Sequence, residues 1–321
     1  MLLPGTELIA LEDLPPCKTW VYVLMYVVFF GALPVLIYLT IEEVADPLDY
    51  IINVFAINTA IVLCVIYLAG ILNVFFGVKT AYTRKIVHIS LFSLPFIIDA
   101  LLGGLDEEES TATVTLGWNL WSAQISFLLM TIPSRKILNY CLGDIRDKDN
   151  PKCKRFLNFP SLVLAAMDRA EDRPNTLKWI QTQIVLMYIF IIVISAVNEE
   201  VDLIAVETVI LVPTIIGGFG DGLAEPVGRK WGANYQYRTH GCCTEYDYVR
   251  SYPGSLMVWI SGIVAVGFNF AEFSTIQFVI AMVIIPIVGT VTEAKAPHTM
   301  DNPFIVLFVG ITVMLIAAIP V

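Results

Sequence analysis

Four clusters of polar residues stand out from a chain that is otherwise mostly apolar, and together they hold the side chains that phosphoryl transfer needs. The first is GGFGDGLAEPVGRKWG, residues 217–232, where Asp221 and Glu225 lie among glycines ahead of Arg229 and Lys230. Glycines admit an anion close to backbone N–H groups, and neighbouring carboxylates can hold the Mg²⁺ that accompanies a nucleotide phosphate. Four residues apart, Asp221 and Glu225 share a face if the segment is helical. The same glycines could instead only break an apolar helix and leave the charges solvated at its end. In the second cluster, TRKIVHIS, Arg84 and Lys85 precede His88 by about one helical turn. Bases at a helix end are ordinary membrane anchors, but a histidine facing into a bundle is costly without a task. The third, RSYPGS, brings Arg250, Ser251, Gly254 and Ser255 to a helix start, which suits a phosphate and equally an ordinary serine cap. The fourth, VTEAKAPHTMDNPF, carries Glu293, Lys295, His298, Asp301 and Asn302 between helix-breaking prolines 297 and 303.

Positioning these clusters falls to membrane helices. Hydrophobic residues make up 57% of the 321 positions and charged ones 15%, with mean hydropathy +0.75, which points to a polytopic integral membrane protein. The apolar runs are long and do not alternate, so the expected fold class is all-α. About nine transmembrane helices are predicted, near 20–41, 51–76, 86–105, 116–133, 178–197, 201–218, 254–271, 274–292 and 303–320. On that partition all 19 Lys and Arg fall on one side, while the opposite loops are acidic, as in Asp106 to Glu109. Basic residues in short loops stay cytoplasmic, so the N-terminus is placed in the cytoplasm. All four clusters then face the cytoplasm or the equivalent side. Five cysteines fall on that reducing face or its edge and Cys64 within a span. Cys242 and Cys243 lack the spacing of a zinc site. Residues 1–19, acidic with Lys18 as their one base, do not read as a cleaved signal.

Residues 1–80 form a tail and two helices, and 81–321 carry the clusters. Within the second part, 134–178 reads as a cytoplasmic loop with an interfacial helix. Phe156, Phe159, Val163, Ala166 and Met167 recur at helical spacing beside the bases Lys152, Lys154 and Arg155, which would draw anionic lipid. The net charge of −10 excludes nucleic acid as an obvious partner. There is no Walker A motif and no protein-kinase signature, so a nucleotide would need another scaffold.

In order, RKIVHIS, GDGLAEPVGRKWG, RSYPGS and the spaced Glu293, Pro297, Asp301 and Asn302 resemble the motifs of the polyprenol kinase family, which spans phytol kinases, dolichol kinase and CTP-dependent diacylglycerol kinase. The resemblance runs from about residue 80 to the end, and the second and fourth motifs look most like the phytol-kinase branch. It implies a membrane enzyme that transfers the terminal phosphate of CTP, with ATP or UTP as alternatives, to an isoprenoid alcohol or diacylglycerol. It further implies Arg84 and Lys85 as phosphate-contacting bases, and Asp221 as the Mg²⁺ ligand with Glu225 as helper. Gly220 and Gly222 become the turn admitting phosphates, and Arg229, Lys230, Arg250, Ser251, Gly254 and Asn302 nucleotide contacts. Asp301 is a second metal ligand or the general base, with His88 the competing base. Arg250 stands where many members have lysine, and a guanidinium grips phosphate as a fork rather than a point charge. The membrane implied is endoplasmic reticulum, plastid or bacterial inner membrane. Two other readings stay open: a CTP-dependent cytidylyltransferase, whose signature is absent, and an inactive structural subunit of a membrane complex, against which the intact carboxylates argue. A transporter would place charges at mid-membrane, where this chain has few.

Overall fold

The computed structural model describes residues 19–44, 46–98, 101, 112–128, 131, 159–169, 172, 175–242, 247–297 and 299–320. The described residues form an all-α bundle of ten helices with one short hairpin. α1 is Thr19–Glu43, α2 Pro47–Phe76, α3 Thr80–Ile98, α4 Ala112–Leu128 and α5 Phe159–Met167. α6 follows at Thr176–Val201, α7 at Val206–Trp231, α8 at Tyr252–Phe268, α9 at Thr275–Lys295 and α10 at Asp301–Ala317. Between α7 and α8, strands β1 (Gln236–His240) and β2 (Asp247–Ser251) pair antiparallel, with Tyr237 opposite Arg250.

Five of these helices, α1, α2, α6, α7 and α9, are long and apolar enough to cross a membrane. α8 and α10 are apolar but shorter. The long helices expose Val23, Val27, Phe30, Ile192, Val283 and Ile287, side chains that water would penalise and lipid would not. Together these features suggest an integral membrane protein.

Local chemistry sets the element boundaries. Ser274 and Gln277 form a reciprocal capping box that starts α9, and Gly77 ends α2 in the left-handed conformation that a side chain would resist. Ser251 caps α8 by accepting a hydrogen bond from Gly254 N at 3.2 Å, with Pro253 inside the first turn.

α4 lies at the centre, where every residue except Trp121 and Ile125 is buried. Its polar side chains bind neighbouring helices: Trp118 Nε1 donates to Thr40 Oγ1, Gln124 Nε2 to Gln181 Oε1, and Ser122 shares a hydrogen bond with Thr59. In an apolar bundle such contacts supply the specificity that lipid-soluble side chains cannot. A larger apolar core joins α4 to α6 through α10, around Leu116, Met187, Ile210, Val258, Ile285 and Ile305.

Three differences from the sequence reading bear on the site. The expected glycine-rich turn at 217–222 is helical: α7 runs unbroken from Val206 to Trp231, with a π-helical segment at Ile216–Asp221. The β hairpin, for which the sequence carries no distinct signal, spans two five-residue segments. α5 lies where an interfacial helix was expected, and its Leu162, Val163 and Ala166 are buried against α2 and α3. Lys152, Lys154, Arg155 and Phe156 lie outside the described residues, as do the tail through Lys18, Asp106 to Glu109 and His298.

Candidate active site

Close helix contact is what the glycines of α7 provide. A Cβ added to Gly218 would stand 2.6 Å from Phe92 Cβ, and one on Gly222 2.4 Å from Ile89 Cγ1, both on α3. On the far side, a Cβ on Gly220 would meet Val258 Cα of α8 at 3.0 Å. α3 and α8 therefore clamp α7 from two sides, as small residues allow in membrane bundles. Gly220 and Gly222 do not line the cavity below; their part is to bring α3 and α8 close enough for side chains to meet. The π segment inserts extra backbone into α7, a device that recurs at functional sites and re-aims the residue following it. Asp221 closes that segment and is buried.

Around Asp221 the four sequence clusters converge. Lys85 Nζ donates to Asp221 Oδ2 at 2.8 Å, with both side chains 5% exposed. His88 Nε2 lies 3.4 Å from the same oxygen and 2.8 Å from the carbonyl oxygen of Gly217. A carbonyl only accepts, so this nitrogen carries the hydrogen. Carboxylate oxygens of Asp221, Glu293 and Asp301 all lie within 4.8 Å of one another. Arg250 closes the group: its Nη1 lies 2.7 Å from Glu293 Oε1 and its Nη2 donates to the Glu293 carbonyl at 3.0 Å. Burial opposes the charge on Arg250, yet Glu293, Asp301 and Asp221 outweigh it and hold the guanidinium above its ordinary pKa. Asn302 is buried beside them, and its Oδ1 has no partner among the described residues. Thr299, on the loop that delivers Asp301, holds a left-handed backbone (φ 62°) that a β-branched residue rarely adopts.

One turn further along α7 the company changes. Glu225 meets Arg84 at 3.3 Å, Arg229 at 2.9 Å and Arg169 at 3.9 Å. It is therefore ringed by guanidiniums and stands outside the carboxylate group in which the sequence reading had placed it. Glu293, which that reading noted only as part of a pattern, takes its place. Ser251 is occupied as the cap of α8, and Gly254 lies against the Ala224 carbonyl. Lys230 turns away, its Nζ 4.6 Å from the Trp231 ring centroid, and does not line the cavity.

The cavity itself holds about 610 Å³. Its lining includes the charged Arg84, Lys85, Asp221, Glu293, Arg250 and Asp301. It also includes the apolar Leu116, Leu120, Phe127, Ile184 and Met187, from α4 and α6. Apolar walls around a few convergent polar groups are the usual form of a small-molecule site.

Comparison of the chain with protein-family models, with curated proteins and with solved structures gives no match. Its chemistry must therefore be read from the residues themselves.

The donor set suits a hard divalent cation: three carboxylates from three elements, with Asn302 Oδ1, unpaired among the described residues, nearby. Lys85 and Arg250 balance two of the three negative charges, so one remains for an ion. Arg169 and Asp172, which also line the cavity, were missed in the sequence. Their segment, MDRAEDR, carries only the composition of a solvated loop.

Proposed function

We propose that the protein is a membrane-embedded kinase that transfers the terminal phosphate of a nucleoside triphosphate, CTP foremost, to the hydroxyl of a lipid alcohol. The observation that carries this reading is one cavity lined both by carboxylates and cations and by many apolar side chains. A phosphate donor suits the first and a long hydrocarbon the second. Isoprenoid alcohols such as phytol or dolichol, and diacylglycerol, are the acceptors considered. In this reading the helices form about nine spans with the N-terminus cytoplasmic, and the cavity opens to the cytoplasmic side.

The reaction joins the alcohol oxygen to the terminal phosphorus and breaks that phosphorus's bond to the bridging oxygen, which leaves on the nucleoside diphosphate. The alcohol proton passes to a carboxylate. Asp301 is the base we favour over His88, because His88 Nε2, the ring nitrogen beside Asp221, carries its hydrogen toward the Gly217 carbonyl and cannot take another, whereas Asp301 has a second oxygen for the proton besides the one that would face the cation. Lys85 and Arg250 neutralise phosphate charge as it shifts toward the leaving group. Asp221, Glu293 and Asp301 would hold Mg²⁺, which supplies further charge neutralisation on the phosphate oxygens. The apolar wall excludes water, which would otherwise compete with the alcohol for the phosphoryl group.

The experiment is transfer of label from CTP or ATP, with Mg²⁺, to phytol, geranylgeraniol, dolichol and diacylglycerol by the purified protein. A labelled lipid phosphate supports the reading and names the acceptor. A folded preparation that transfers to none and binds no CTP refutes it and favours a structural subunit.

A further inference from the structure

Pro95 lies inside α3 and has no N–H, so the carbonyl of Leu91, four residues back, loses its partner within the helix. Asn119 Nδ2 donates to that carbonyl from α4. A carbonyl only accepts, so the contact fixes the amide: the nitrogen meets α3 and Oδ1 is left over. Oδ1 has no hydrogen-bond partner among the described residues, although Asn119 is only 2% exposed. Buried amide oxygens are normally paired, and an unpaired one in a cavity wall points to a ligand.

The position of Asn119 narrows the kind of ligand. α4 lines the cavity with Leu116, Asn119, Leu120, Ala123 and Phe127, and Asn119 is the polar one of these five. Its partner Leu91 lies three residues beyond His88 on α3, about 4.5 Å along the axis. His88 in turn lies 3.4 Å from Asp221. A group held at Asn119 would thus sit among apolar side chains about one helical turn beyond His88. An amide oxygen takes a hydrogen and offers none. It suits a hydroxyl at the head of a hydrocarbon chain, whereas an ester, an ether or an ionised phosphate brings only acceptors.

We propose that Asn119 Oδ1 is the docking acceptor for the hydroxyl of a lipid alcohol. That hydroxyl has one hydrogen, so its bond to Asn119 must open before Asp301 takes the proton. Asn119 is thus a binding residue that acts on capture of the alcohol and not on the chemical step. Its segment, WNLWSAQ, lies outside every motif read from the sequence. The alcohol's role as phosphate acceptor rests on the kinase reading; the preference of the cavity for a chain headed by a hydrogen-bond donor does not.

The test measures binding of geranylgeraniol, and of its methyl ether, which lacks the hydrogen, to the full-length protein in detergent. Wild type should prefer the alcohol about 5–10-fold, the worth of one neutral hydrogen bond. Asn119→Leu, of similar shape, should bring the two affinities to within about 2-fold. That variant also leaves the Leu91 carbonyl unpaired, so it is repeated with Pro95→Ala, whose restored N–H can take that carbonyl. Asn119→Leu should lower the melting temperature less in the Pro95→Ala background than in wild type, while the loss of alcohol preference should be the same in both. In turnover it should raise KM for the alcohol about 5–10-fold with little change in kcat. The wild-type comparison of alcohol with ether stands whatever the stability of the variants. Equal binding of the two by wild type, a preference that survives Asn119→Leu, or a preference that Pro95→Ala restores to Asn119→Leu each overturns the proposal. A protein that phosphorylates the alcohol with the same KM in wild type and Asn119→Leu retains the kinase and removes the docking site. Asn119-dependent alcohol preference without transfer from CTP or ATP to any acceptor does the reverse.

Discussion

Replacing Lys85 by Met tests the carboxylate group most sharply, because it removes one half of an ion pair in which both side chains are 5% exposed. Breaking a buried pair from one side costs about 3–5 kcal/mol, since the partner stays charged without compensation. The surroundings make the two halves unequal. Asp221, Glu293 and Asp301 face Lys85 and Arg250, a single excess negative charge. Lys85→Met doubles that excess, whereas Asp221→Asn removes it and leaves Lys85 near two other carboxylates. Lys85→Met should therefore fall at the upper end of the range and Asp221→Asn below it, at about 1–3 kcal/mol. The double variant should cost less than the two singles added together, by about 2 kcal/mol or more. A cation held by the three carboxylates predicts one further result. At 100 times its Kd, Mg²⁺ should return about 2.7 kcal/mol to any variant that still binds it. Lys85→Met keeps all three ligands and should be rescued; Asp221→Asn lacks one and should respond less. The assay is denaturant unfolding in detergent followed by tryptophan fluorescence, with and without Mg²⁺. Equal costs for the singles, strict additivity, or equal Mg²⁺ response would each refute this account of the group. Transfer activity, if present in wild type, should fall about 10²–10³-fold in both singles whatever their stability.

Three further outcomes follow from the geometry. Gly70→Ala should destabilise by about 1–3 kcal/mol, because its Cβ would lie 2.5 Å from the Leu162 carbonyl oxygen of α5; Gly31→Ala, with nothing within 4 Å, should stay within about 1 kcal/mol of wild type, both read by thermal unfolding. Arg250→Lys keeps the charge but cannot span the Glu293 carboxylate and carbonyl together, so activity should drop about 10-fold and the CTP-to-ATP ratio should move. Chelation should abolish transfer, with Mg²⁺ restoring it; Glu293→Gln should raise the Mg²⁺ needed about 10-fold and Glu225→Gln should not, as a metal titration of initial rate would show.

What was legible in this chain follows from how each property is encoded. Length and hydropathy are local sums, so α1, α2, α6 and α9 stand out as apolar runs before any packing is known. The centre of the bundle was harder to place. α4 is rich in Thr, Ser, Asn and Gln, because its partners are other helices rather than lipid, and its boundary moved from the predicted 116–133 to Ala112–Leu128. Asp221 and Asp301 could be chosen from their motifs, and the fold brings them together. The neighbours of Glu225 were not legible for a reason internal to helices. Four-residue spacing puts it on the face of Asp221, but a face spans several ångströms of axis, and one turn is enough to pass from carboxylate neighbours to arginine neighbours.

The glycines show the same ambiguity from another side. A missing Cβ serves a backbone turn that receives an anion, and it equally serves a helix that must touch its neighbours. Sequence records only the absence. In α7 it is spent on contact, with α3 and α8 pressed against Gly218, Gly220 and Gly222, and that contact is what places Lys85 at 2.8 Å from Asp221. The glycines thus act at a distance from the chemistry: a bulkier residue at Gly222 would push Ile89 and the α3 backbone outward and draw Arg84, Lys85 and His88 with them. Gly222→Ala should accordingly loosen Lys85 from Asp221 and Arg84 from Glu225 together, lowering the Mg²⁺ response although Gly222 does not line the cavity. A local phosphate-binding turn would instead lose only the anion.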